Sequence, residues 1–116
     1  MKKTPHTELT GPLVDLVAER FRVLGEPMRI RLLNELREHD ASVGELHETI
    51  GASQQNVSKH LAILHQAGMV ERVKVGNQTR YSISDPSVFE LCELVCGGVR
   101  QRVVRLDSIL RAGGAA

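Results

Sequence analysis

Apolar residues recur along this chain at two periods, and the change from one to the other lays out the architecture. From about residue 12 to 24, Leu13, Val17, Phe21 and Leu24 return every three or four positions, the spacing of one helix face. Gly25-Glu26-Pro27 breaks the run. Pro27 suits the first turn of a second helix, where its missing N–H would have no partner anyway. Ile30, Leu33 and Leu36 mark the inward face of that helix to about Arg37, with Arg29 and Arg31 read as surface residues, and Glu38 to Ala41 reads as a polar turn. Ser42 and Glu45 have the spacing of a capping box, which opens a short helix over 43–50 with Leu46 and Ile50 inward and Gly51 closing it. Ser53 caps the next helix, whose buried stripe is Val57, Leu61 and Leu64 and whose end is Gly68.

After Gly68 the period falls to two. Arg72 to Val75 and Thr79 to Ile83 alternate about Gly76-Asn77, a hairpin signal because glycine accepts the positive φ such a turn needs. Asp85-Pro86 opens a last long helix, along which Val88, Cys92, Val95, Val99, Val103, Leu106 and Leu110 follow at spacings of three and four, with Gly97-Gly98 as a local weakness. The expected fold is mainly α with a small β-hairpin: a winged helix-turn-helix dimerised through its first and last helices. Residues 1–11 read as a flexible tail, 12–112 as the domain and 113–116 as a second tail.

Composition narrows the setting. The chain's 116 residues suit one domain, and 3% aromatic content leaves the core to aliphatic side chains. Two cysteines, Cys92 and Cys96, are too few for a secreted disulfide framework. The apolar stretch Leu13 to Ala18 is short and interrupted by Asp15, so no export signal is read, no run approaches a membrane span, and the expected location is the cytoplasm. The overall charge of +1 makes no case for nucleic acid, but its distribution does. Residues 53–83 hold Lys59, Arg72, Lys74 and Arg80 against Glu71 alone, while residues 1–52 are net −2 and residues 84–116 are balanced.

That basic window contains the helix-turn-helix. The second helix of such a unit enters the major groove and reads bases from its N-terminal residues. Capped by Ser53, it offers Gln54, Gln55 and Asn56, whose amides can pair with adenine in bidentate fashion, and Ser58, Lys59 and His60, which can reach bases or phosphates. No acidic residue lies between Ser53 and Gly68. The hairpin adds Arg72, Lys74, Asn77, Gln78 and Arg80 for a phosphate strand or the minor groove. Double-stranded operator DNA is therefore the expected partner, with two-fold symmetry placing two reading helices roughly 34–36 Å apart on an inverted repeat. The bland reading of the same side chains is a solvated face.

The stretch "FRVLGEPMRIRLLNEL", followed by "SVGELHETIGASQQNVSKHLAILHQAGMVERVKVGNQTRYSI", resembles the ArsR family of bacterial winged-helix repressors. The likeness covers residues 21–83 closely and the flanking helices loosely. It implies a symmetric dimer built from the first and last helices, and repression relieved by a metal, a redox signal or another effector. The family's sensor patterns are not met. "SVGELHETI" has no cysteine where the arsenic-type cluster would sit, and the redox variant lacks its early cysteine. Residues 84–116 have no histidine for a zinc-type site.

Cys92 and Cys96 remain, four apart and near one helix face. Both can be small buried hydrophobes of a dimer core, or they can be a thiol sensor for a soft metal or a reactive sulfur or oxygen species. Of the histidines, His6 falls in the tail, His39 and His47 flank the start of the short helix, and His65 reads as solvated; no metal site and no cofactor are expected. No nucleophile-base pair or phosphate loop points to an enzyme. The competing functions are a ligand-free constitutive repressor and a winged-helix protein adaptor. An adaptor would be expected to show apolar or acidic residues where Gln54, Gln55, Asn56, Ser58 and Lys59 stand.

Overall fold

The computed structural model describes residues 8–114, so the expected tail residues up to 7, with His6, and residues 115–116 lie outside the described residues. The chain divides into two compact units, one reaching Ser84 and one beginning at Asp85. The first runs α1 (Gly11–Leu24), α2 (Pro27–Glu38), β1 (Ala41–Ser42), α3 (Val43–Ile50), α4 (Gln54–Gln66), β2 (Val70–Val75) and β3 (Gln78–Ile83).

Local chemistry explains the helix starts. Thr10 and Glu26 cap α1 and α2 by accepting from the Leu13 and Met28 amides. Ser42 Oγ accepts the Glu45 amide at 3.2 Å and Ser53 Oγ accepts that of Asn56 at 3.1 Å, each relieving one of the free amides of a first turn. Gly51, at φ 84°, ends α3 in the left-handed region that glycine enters without a Cβ penalty. In the wing φ is positive at Gly76 and at no non-glycine residue, Asn77 included, which is the pattern of a type II′ hairpin turn.

The sheet has three antiparallel strands in the order β1-β3-β2, with Ala41 opposite Tyr81 and Val70 opposite Ile83. The polar turn expected at Glu38 to Ala41 therefore ends in a two-residue strand. A stretch that short has no period to read, and it pairs only because β3 offers it a free edge. The core is aliphatic: Leu32, Leu33 and Leu36 of α2, Leu46 of α3, and Val57, Leu61 and Leu64 of α4, with Met69 and Val70, are all buried. α2 and α3 both pack on α4, and α2 also meets β3. The inward face of α2 differs from expectation. Ile30 is 47% exposed, whereas Arg29, read as a surface residue, is buried at 8%. Arg29 sits three, four and seven residues before Leu32, Leu33 and Leu36, which places it on their face.

The second unit is α5 (Pro86–Gly114), 29 residues continuous through Gly97-Gly98 and past the expected end at 112. Its apolar positions from Leu94 onward are open: Val95, Val99, Val103, Leu106 and Leu110 are all exposed in the single chain. Cys92 is half-buried and Cys96 exposed, and neither is in a disulfide. Among the described residues no helix is long and apolar enough to cross a membrane.

Candidate nucleic-acid interface

α3, the turn at 51–53 and α4 form the helix-turn-helix. Around α4, at about 100° per residue, Gln54, Ser58, Ala62, Gln55 and Lys59 fall in that order across an arc of about 140°. All five are exposed, and so is the capping Ser53, while Asn56 at the arc's edge is half-buried. The opposite arc is Val57, Leu61, Leu64 and His60. The apolar stripe thus anchors α4 on α2 and α3 and turns amide, hydroxyl and ammonium groups to solvent. Such a face can donate to and accept from base edges and neutralise phosphates.

His60 is the correction on this helix. It is buried at 7% exposure, on the core side, and is not an exposed DNA contact. It stands three residues after Val57 and four before Leu64, the spacing of the buried stripe. That signal was present in the sequence and outweighs the residue's polarity. Arg29 Nε donates to His60 Nδ1 at 3.2 Å.

The wing divides its polar side chains between two faces. Arg72 and Lys74 lie opposite Tyr81 and Thr79, while Val73 and Val75 lie opposite Arg80 and Gln78; cross-strand partners share a face. Arg72, Lys74, Asn77 and Gln78 are exposed. Arg80 is engaged within the chain instead. Its Nη1 donates to Glu45 Oε1 at 2.7 Å and to Gln78 Oε1 at 2.9 Å, and its Nη2 donates to the Asp40 carbonyl at 2.8 Å. It therefore braces β3 against β1 and the start of α3. The Arg80 guanidinium beside Glu45, with help from Ser42, holds that carboxyl below its usual range. No motif marks this brace, because Glu45 and Asp40 stand 35 and 40 residues away.

The remaining candidates have ordinary surroundings. His47 Nδ1 meets the Ala52 carbonyl, and His39 Nδ1 that of Asp40 at 2.8 Å. Among the described residues no three His, Cys, Asp or Glu side chains gather where they could hold a metal ion.

A family model for bacterial regulatory proteins of the arsR family matches residues 26–72. The HTH-type transcriptional regulator Rv0081 of Mycobacterium tuberculosis is 41% identical over 110 residues, spanning 90% of this chain and 96% of that protein. Its crystal structure superposes with a TM-score of 0.71 and 42% identity, covering 82% of this chain and 95% of that one. A probable mercury resistance operon repressor of Streptomyces lividans is 34% identical over 100 residues, 86% of this chain and 80% of that protein. The homodimeric winged helix-turn-helix DNA-binding domain of Mb0332 from Mycobacterium bovis, at 25% identity, superposes with a TM-score of 0.73 over 79% of this chain and 85% of that domain.

Proposed function

The chain belongs to the arsR family of bacterial regulatory proteins, and from that premise we propose that it is a cytoplasmic, non-enzymatic, homodimeric repressor that reads double-stranded operator DNA with α4. The observation that carries the proposal is the exposed arc of Gln54, Gln55, Ser58 and Lys59 on a helix whose other side is locked into the core. In this reading Gln54, Gln55, Asn56 and Ser58 select bases, while Ser53, Lys59, Arg72, Lys74, Asn77 and Gln78 hold the phosphate backbone. Arg80 serves the wing by bracing its strand rather than by touching phosphate.

The homodimeric Mb0332 domain and the open apolar face of α5 both favour a dimer, and a dimer favours an inverted-repeat operator. Release by an effector is part of the proposal, with Cys92 and Cys96 as the candidate thiols. The mercury resistance repressor among the relatives favours a soft, thiophilic signal.

The test is a fluorescence-anisotropy titration of the gene's own upstream DNA at several salt concentrations. Gln54→Ala should cost about 1–3 kcal/mol on the operator and little on random DNA. Lys74→Ala should weaken both alike and lower the salt slope by about one. Equal losses for the two variants on both DNAs would remove the division between reading and positioning residues, and no binding by the wild type would remove the repressor reading. Repeating the titration with mercuric ion, or with a mild oxidant, and with Cys92 and Cys96 replaced by Ser decides the thiols' part.

A further inference from the structure

Two polar side chains buried in the first unit take no part in reading DNA, yet one of them belongs to the reading helix. Arg29 of α2 is 8% exposed and His60 of α4 is 7% exposed. Arg29 Nε donates to His60 Nδ1 at 3.2 Å, and Arg29 Nη1 donates to the Val23 carbonyl near the end of α1 at 3.1 Å. Glu26, whose carboxylate caps α2, lies 3.9 Å from the same imidazole nitrogen. The last turn of α1, the α1–α2 turn, α2 and α4 therefore converge on one guanidinium and one imidazole.

The chemistry of the pair fixes its protonation. A guanidinium only donates, so His60 Nδ1 must accept, which places the ring proton on Nε2 and leaves the imidazole neutral. The pair also supplies what leucines cannot. Val57, Leu61 and Leu64 hold α4 by apolar contact, which is non-directional. A hydrogen bond is directional and fixes how far α4 is rotated and slid against α2. Ser58 and Lys59 immediately precede His60 on the exposed arc, so a rotation released at His60 is felt directly by them.

We propose that Arg29 and His60 are a positioning pair that sets the orientation of the reading helix, and that protonation of His60 unlocks it and weakens DNA binding. The DNA half of this inference rests on the reading role proposed for α4; the orienting role does not.

The groups facing His60 set the direction of the pH effect. Burial disfavours the imidazolium most; Glu26 from the α1–α2 turn favours it, and Arg29 from α2 and Lys59 from α4 itself disfavour it. Together they hold the pKa below the ordinary 6.5 of histidine. The native state then stays neutral where the unfolded chain has already bound a proton. The pair's contribution is complete above 6.5 and is lost as the pH falls from there toward the lowered native value. Adding positive charge to a protein ordinarily strengthens its hold on phosphates, so a loss of affinity in acid runs against the general trend.

The experiment compares the full chain with His60→Asn and His60→Leu. Asparagine puts an acceptor oxygen close to the position of Nδ1 and does not titrate, whereas leucine removes the acceptor. Anisotropy with the upstream DNA is read at pH 7.5 and 5.5 at constant ionic strength, and amide hydrogen exchange over α4 is read at pH 7.5. The wild type should lose affinity on acidification, by no more than the worth of one hydrogen bond, about tenfold. His60→Asn should bind within about twofold of wild type at pH 7.5 and stay flat, and His60→Leu should be weak at both values with faster exchange in α4.

A His60→Asn profile parallel to the wild type, or a His60→Leu variant of wild-type affinity, overturns the proposal. Should His60→Leu fail to fold, the flat profile of His60→Asn still decides. Should the wild type bind no upstream DNA, the repressor reading falls by itself. Exchange then judges the pair, and equal protection of α4 in all three proteins overturns it.

Discussion

Over α4 the apolar residues at three- and four-residue spacing, Val57, Leu61 and Leu64, are each fully buried within the chain, whereas over α5 the same spacing leaves Val95, Val99, Val103 and Leu106 about half exposed. The two stripes cannot be told apart by periodicity. Their surroundings differ: α2 and α3 cover α4, whereas the apolar residues on the outer turns of α5 stand exposed. A covered stripe frees the opposite face for polar work, here the arc from Gln54 to Lys59. An uncovered stripe leaves surface that a second copy can bury, so in the proposed function one pattern serves reading in the first helix and assembly in the second.

The sharpest way to break this contrast is to shorten one leucine in each stripe. Leu61→Ala should cost the folded chain about 2–5 kcal/mol in chemical denaturation, because it empties a fully buried site that its neighbours cannot refill. Leu106→Asp should leave the first unit's melting unchanged and instead raise the dimer dissociation constant tenfold or more, roughly the worth of one buried leucine, as read by analytical ultracentrifugation. If Leu106→Asp unfolds the protein without changing its association, the α5 stripe is core after all. A smaller effect sharpens the picture. A Cβ built at Gly98 meets nothing within 4 Å in the single chain. Gly98→Ala should thus favour the helix by about 0.5–1 kcal/mol, and any weakening of the dimer would mean that a partner backbone approaches there.

Most of the helix-turn-helix is legible in the sequence. Ser42 and Glu45, Ser53, Gly51 and Gly76 act through bonds and dihedrals within a few residues of themselves, so their spacing alone places the helix starts, the α3 stop and the hairpin turn. The exposed residues of α4 followed from the same local rule. Two polar residues on α2 and α4 depart from expectation because their position outweighs their polarity. Arg29 and His60 both stand at core spacing, and both are buried because each supplies the other's hydrogen-bond partner across 31 residues of chain. The bracing role of Arg80 has no local sign for a related reason, since its carboxylate and carbonyl partners, Glu45 and Asp40, reach it only in the folded sheet.

The sequence by itself determined the order of the elements, their caps and turns, and the polar face of α4, because periodicity, capping and turn chemistry are local interactions carried by neighbouring residues. Only the tertiary structure decided that Ala41–Ser42 is a strand, that Arg80 is a brace, and that Arg29 holds His60 inside the core. Each of these depends on a partner far along the chain, and a buried charge or an unpaired strand edge is tolerable only once that partner has been brought to it.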